Sequence, residues 1–270
     1  MKIIVSHDVD HLFREDHFRD LIYPKLWIRE TLSFLNRKIS TKEWFLRVIS
    51  PFRKKRHNIE QLIDFDSAND VPSTFFFGMS TGLGMSYKKN AALPVIKLVH
   101  EAGFDVGVHG IAYNNLDEIK KEYNCFMDLN IIGNFGIREH YVRFDDVTFE
   151  YLSKAGYLFD SSEFDKSQGY CIKNPYQVSS MWEFPLTIMD GYLPHDLKSA
   201  KEKSINILDK AVQSGLEYAS ILFHDYLFCD AYHNRQEWYK WIITHCRKSG
   251  YSFISYKDAI KELERTIPNG

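Results

Sequence analysis

Lys2-Ile3-Ile4-Val5-Ser6-His7-Asp8-Val9-Asp10-His11 opens the chain, and the contrast between its two halves decides the fold. The first half is apolar and β-rich, as a buried strand requires. The second half crowds ionisable side chains where that strand must end. The same pairing of an apolar run with a polar cluster recurs along the chain. Residues 73–77 end at Gly78, and 104–108 end at His109-Gly110. Phe135-Gly136-Ile137 runs into Arg138-Glu139-His140-Tyr141, and Tyr157-Leu158-Phe159 meets Asp160-Ser161-Ser162. Residues 182–186 precede Asp190-Gly191, 219–223 end at His224-Asp225, and 251–254 close the series.

Amphipathic stretches lie between these runs. Apolar residues recur at helical spacing over 90–102, stopping at Gly103, and over 197–212, stopping at Ser214-Gly215. Asp145 or Asp146 can cap a helix that runs through Lys154-Ala155, and Gly156 stands where a left-handed helix end wants glycine. Strands alternating with helices predict a parallel sheet. Seven or eight such units predict an α/β fold of the distorted, TIM-like (β/α) barrel kind. All strand C-termini of a barrel open on one face. His7, Asp8, Asp10, His109, Arg138, His140, Asp160 and His224 are therefore expected around one mouth. The segment 12–71 is too long for a plain β/α connection. It is aromatic and basic, with helical character over 27–35 and 41–49. It reads as a helical insertion within a single domain of residues 1–270, either shaping the substrate cleft on the mouth side or packing against the outer helices.

The bulk numbers narrow the function. A composition that is 44% hydrophobic supplies a sizeable core for 270 residues. A formal net charge of -2 gives no electrostatic reason to expect nucleic acid or an anionic membrane as partner. The run Arg53-Lys54-Lys55-Arg56 is the exception, and reads as a solvated loop or helix end. Cys125, Cys171, Cys229 and Cys246 form no C-x-x-C pair, which argues against a structural zinc site and a disulfide framework. The apolar start is too short for a signal peptide and no later stretch is long enough to span a bilayer, so a cytoplasmic location is expected. No Gly-rich phosphate loop and no G-x-S-x-G elbow is present. Nothing in the sequence sets the oligomeric state.

Four clusters could carry chemistry. Asp8-Val9-Asp10 offers one carboxylate for a cation and another as a base. His109 at a strand end is a ligand or a structural hydrogen-bonder. In Arg138-Glu139-His140-Tyr141 the arginine can orient a carboxylate or bind an anion, and Tyr141 can line a pocket. His140 either completes a metal triad with Asp10 and His109 or faces substrate. His224 sits where a general acid is wanted, its ordinary pKa of ~6.5 suiting proton donation near neutrality, and the acidic group at Asp160-Ser161-Ser162 could hold it in one tautomer.

In this order the motifs resemble the polysaccharide deacetylase (NodB-homology) family, in a divergent branch linked to bacterial surface-polysaccharide and O-antigen synthesis. The aspartate pair is Asp8/Asp10, the T-F-F strand is Thr74-Phe75-Phe76, and the G-x-x-V-G-x-H strand covers 103–109; Arg138 and His224 follow in sequence. The resemblance implies a barrel enzyme that hydrolyses an N-acetyl or O-acetyl group on a polysaccharide or its sugar precursor, with a divalent metal, usually zinc. By this resemblance Asp8 is the general base, Asp10 and His109 hold the metal, Arg138 positions Asp8, and His224 protonates the departing amine. Two departures stand out. Val9 separates aspartates that are usually adjacent. The family's second histidine, four residues after His109, is Tyr113, a poor zinc ligand that is better read with Tyr141 as substrate-facing. His140 is the first candidate to replace it, with His7 or His11 next. Other aromatics expected near the mouth are Tyr170, Trp182 and Tyr226. The rival readings are a metal-free hydrolase of another C–N bond, a non-catalytic carbohydrate-binding protein and a D-x-D glycosyltransferase.

Overall fold

Side chains on a strand alternate between its two faces, and in the first strand that alternation sorts the residues by chemistry. The computed structural model describes residues 1–18 and 20–266. Strand β1 (Lys2–Val9) pairs in parallel with β2 (Thr74–Gly78) on one side and β9 (Tyr218–Leu222) on the other. Ile3, Val5 and Val9 pack outward into the large core shared with the helices, whereas Ile4 belongs to a separate inner cluster. The inward series Ile4, Ser6, Asp8 grows more polar along the strand, and Asp10 just beyond it lines the cavity at the mouth.

The remaining strands continue the sheet: β3 (Asp105–Gly110), β4 (Ile137–Glu139), β5 (Phe159–Asp160), β6 (Tyr176–Val178), β7 (Met181–Glu183), β8 (Leu186–Met189) and β10 (Ser252–Phe253). Their order is β6-β7-β5-β4-β3-β2-β1-β9-β8, with β10 beside the start of β1. The two ends of that order are nearly one stretch of chain, because only Phe184 and Pro185 separate β7 from β8. Phe184 N donates to Asp160 O and Leu186 N to Glu163 O, while Leu186 also pairs with Ser220 of β9. The sheet thus curls back on itself as the distorted barrel the repeating units predict. It has seven parallel positions, β7 and β8 sharing one, and β6 forms an antiparallel hairpin on β7.

Nine helices appear among the described residues: α1 (Ile22–Leu35), α2 (Thr41–Ile49), α3 (Ile59–Ala68), α4 (Lys89–Glu101), α5 (Leu116–Met127), α6 (Thr148–Ala155), α7 (Leu197–Gln213), α8 (His233–Lys248) and α9 (Tyr256–Thr266). Their ends follow local chemistry. Asn115 caps α5 and Asp196 caps α7 through side-chain oxygens that accept backbone N–H bonds. Asp145 forms the turn into α6 by accepting from Val147 N and Thr148 Oγ1, and Gly156 ends that helix at φ +105°. Helix α3, with Ile59, Leu62 and Asp66 buried, covers the barrel as an ordinary connecting helix. The added part of segment 12–71 is therefore the stretch before it, carrying α1 and α2.

Helix α9 seals the end of the barrel opposite the mouth. Its Tyr256 stacks on Phe159 at 4.3 Å and packs with Ile4, Phe76 and Phe184. Truncating a buried aromatic in such a plug costs about 3–5 kcal/mol. Gly107 is required on the same inner face, because a Cβ there would stand 2.7 Å from Gly136 O.

Candidate metal centre

Asp10, His109 and His140 present one donor atom each, all lying within 4.8 Å of one another. His109 takes an inward position on β3, since Val106 and Val108 face the helices. Its Nδ1 lies 2.9 Å from Arg138 O. A proton on Nδ1 is donated to that carbonyl, which leaves the Nε2 lone pair facing inward. His140 Nε2 lies 3.3 Å from Leu83 O, so by the same reasoning its Nδ1 lone pair faces His109 Nε2, 2.9 Å away. Asp10 Oδ1 is 3.3 Å from His109 Nε2 and 3.4 Å from His140 Nδ1. This oxygen is buried without a hydrogen-bond partner.

Three acceptors converging in a buried place repel one another unless a cation joins them. Bonds of ~2.0–2.1 Å at tetrahedral angles would set such donors ~3.3–3.4 Å apart, which matches both carboxylate distances and exceeds the histidine pair by a few tenths of an ångström. The donor set therefore fits a divalent ion. Burial alone would raise Asp10, but the adjacent His109 and His140 rings and the nearby His224 charge hold its carboxyl well below the usual range. Asp10 stays ionised, as a ligand must.

His140 reaches the centre through an unusual turn. Tyr141 and Val142, which follow it, both have left-handed backbone angles, φ +61° and +44°. A β-branched residue in that region is strained by about 1–3 kcal/mol, and here the strain accompanies a histidine turned inward. Asp8 lies beside the centre, with Oδ2 3.8 Å from His109 Nε2 and Oδ1 3.8 Å from Arg138 Nη1. Arg138 is fully buried in the barrel, where its Nη2 donates to Ser6 Oγ, Ser161 Oγ and Tyr256 Oη at 2.9–3.0 Å.

His224 stands across the mouth, its Nε2 3.9 Å from Asp10 Oδ2. Asp190 holds it from behind. One carboxylate oxygen accepts from His224 N at 2.6 Å, and Nδ1 lies 2.9 Å from the other. Burial opposes the charged imidazolium, but the Asp190 carboxylate overrides it and lifts the His224 pKa to about 10.

These groups open into a cavity of about 770 Å³ whose walls include Asp8, Asp10, His140, Tyr141, His224 and Tyr226. Other expected residues lie elsewhere. Asp160 does not touch His224: Phe159 takes the inward position on β5, so Asp160 faces outward, accepting from Ser162 Oγ at 2.6 Å. Tyr113 lies under the Arg143 guanidinium, 4.8 Å from its ring centre, and lines a separate cavity of about 350 Å³. His7 faces the helices, bonded to Asp66 and Phe223 O at 2.9 Å. His11 is on the cavity wall but outside the donor set, and burial pushes it down to about 3. Trp182 fills the inner plug, and Tyr170 packs against the outer core. Asp190 is the site residue that pattern reading misses, although an acid directly after a strand run is its signal.

No family model matches the chain, and no curated relative matches it. Solved structures do. A protein from Mycobacterium smegmatis assigned as a polysaccharide deacetylase has a TM-score of 0.63 at 16% identity, over 98% of this chain and 90% of that one. A GH57 branching enzyme from Thermococcus kodakaraensis has a TM-score of 0.53 at 8% identity, over 97% and 71%. A polysaccharide deacetylase assigned to O-antigen biosynthesis in Bordetella bronchiseptica aligns at 0.43 and 12%, over 88% and 79%. The resemblance to polysaccharide deacetylases is thus borne out in the fold. A branching enzyme shares that fold, so the chemistry has to be argued from the site.

Proposed function

We propose that this chain is a metal-dependent deacetylase that hydrolyses an acetyl group, in the first place an N-acetyl group, on a bacterial polysaccharide or its sugar precursor. The observation that carries the reading is the convergence of donor atoms from Asp10, His109 and His140, with Asp8 on one side and an Asp190-backed His224 on the other. A divalent ion held there, zinc being suited to two imidazoles and a carboxylate, supplies Lewis-acid polarisation of the acetyl carbonyl and lowers the pKa of water. Asp8 takes a proton from the attacking water. Arg138, with Nη1 3.8 Å from Asp8 Oδ1, orients that carboxylate toward the cavity. His224 carries its proton on Nε2, opposite the nitrogen held by Asp190, and delivers it to the leaving amine. Tyr141 and Tyr226 give the sugar ring aromatic faces.

A metal-free hydrolase and a purely binding protein both leave the convergence of three acceptors without a purpose. A glycosyltransferase leaves the Asp190–His224 pair without one. The test is metal content by elemental analysis together with acetate release from N-acetylhexosamine oligomers, for wild type, Asp10→Ala and His140→Ala. Stoichiometric metal and acetate release in wild type, both lost in the variants, is the expected result. Wild type that takes up no divalent ion would sink the reading.

A further inference from the structure

The insertion between β1 and α3 differs in charge from the rest of the molecule. Residues 12–58 hold 12 Lys+Arg against 5 Asp+Glu, which leaves 22 against 31 elsewhere. Lys25, Arg37, Lys38, Arg53, Lys54 and Arg56 have no carboxylate within ion-pair distance among the described residues. Helix α1 has three distinct faces. One is covered by α2, where Trp27 donates to Val48 O and Phe34 stacks on Trp44. The second lines the cavity through Ile22, Lys25, Leu26 and Arg29. The third is bare and aliphatic: Ile28, Leu32 and Leu35 recur at helical spacing and are 64%, 53% and 67% exposed, continuing the line of Leu21 at 65%. Phe18 and Phe52, 65% and 70% exposed, add two aromatics on the same module.

We propose that this face docks the protein on an anionic lipid bilayer, so that the sugar entering the cavity is carried on a membrane lipid. A convex helix with an aliphatic stripe, aromatics and flanking unpaired cations has the make-up of an interfacial helix. Charge selects this occupant over a second copy meeting face to face, because two such basic modules repel. Position supports it as well, since the bare stripe adjoins the cavity-lining stripe on one helix. Lys25, Arg29 and Arg56 then stand at the cavity wall, where a phosphate joining sugar to lipid would lie. The identity of the sugar rests on the deacetylase reading; the docking does not.

The experiment is co-sedimentation with vesicles of mixed phosphatidylcholine and phosphatidylglycerol, against phosphatidylcholine alone. Wild type should pellet with the mixed vesicles, less so as salt rises, and weakly with the neutral ones. Ile28→Asp with Leu32→Asp should weaken binding about tenfold or more, with unchanged Tm and metal content. Arg53→Glu with Lys54→Glu should weaken it and flatten the salt dependence, and this loop pair carries the test if the helix pair fails to fold. Asp10→Ala should bind as wild type does, which separates failure of the metal reading from failure of the docking. The proposal is overturned if wild type ignores the mixed vesicles or both variant pairs bind like wild type. A wild-type dimer in sedimentation velocity that Ile28→Asp with Leu32→Asp dissociates would also overturn it, showing that a second copy covers the stripe.

Discussion

The two faces of the barrel wall, at the same height near the mouth, treat carboxyl groups in opposite ways. On the inner face Asp8 and Asp10 meet Arg138, His109, His140 and His224, and Asp10 is held well below the ordinary carboxylate range. On the outer face Asp160 and Glu183 are ladder partners and Glu139 stands two residues beyond Ile137, the partner of Asp160 on the next strand, all three fully buried under the helices. Burial first, then the charges of Glu122 and Asp160, pushes Glu139 well above its usual range, and neither of its oxygens has a hydrogen-bond partner. Burial and the Asp160 charge push Glu183 upward in the same way. Identical side chains meet cations inside, whereas outside burial disfavours their charged form. Only the parity of the position along the strand separates the two cases.

Removing an inner-face donor should break this contrast most severely. Asp10→Ala and His140→Ala should each lose the metal and reduce turnover by about 10³ or more, read by elemental analysis and acetate release. Asp8→Asn should keep the metal but lose a factor of about 10²–10⁴ in turnover; equal loss of metal would move Asp8 into the ligand set. Asp190→Asn should cost less, about tenfold to a hundredfold at neutral pH, and should change the pH profile. His224 must be protonated to act, so activity falls as pH rises through its pKa. The Asp190 carboxylate raises that pKa, so its loss should bring the alkaline limb to lower pH.

Outer-face changes should act on stability alone. Burial raises the pKa of Glu139 in the folded protein above its unfolded value. Its stabilising contribution is therefore complete below the unfolded pKa and is lost as pH rises toward the folded one. Glu139→Gln should remove that loss. Its Tm should match wild type at acid pH and exceed it by about 2 °C at neutral pH, with metal content unchanged. Tyr113→Phe should have the smallest effect, leaving metal and turnover within about twofold, because its ring meets Arg143 away from the donors; a loss of metal would place the phenol in the centre after all.

Much of this was legible in the sequence because strand and helix periods are local. The units predicted from apolar runs became β1 to β5, the β7–β8 pair, β9 and β10, and the helices expected over 41–49, 90–102 and 197–212 formed within a residue. Asp8, Asp10, His109, Arg138, His140 and His224 converge as strand ends in a barrel must. Asp160 and His7 do not, because an end-of-strand position says nothing about which way a side chain points. The inward or outward sense depends on register with neighbours distant in the chain. Asp190 escaped for a related reason: its role follows from lying behind His224, 34 residues further on. Hairpin strand β6 is too short and too exposed to leave a period.

The pairing of His109 with Arg138 across β3 and β4 sets His140 two residues beyond a ladder partner of His109. A donor that could have come from the loop after β3 comes from the next strand instead, far along the chain and adjacent in space. A motif search keyed on intervals along the chain would discard this sequence as a broken enzyme. One keyed on neighbouring rungs of the ladder would keep it. Related chains that lack the expected histidine are best sorted by what stands just past the following strand.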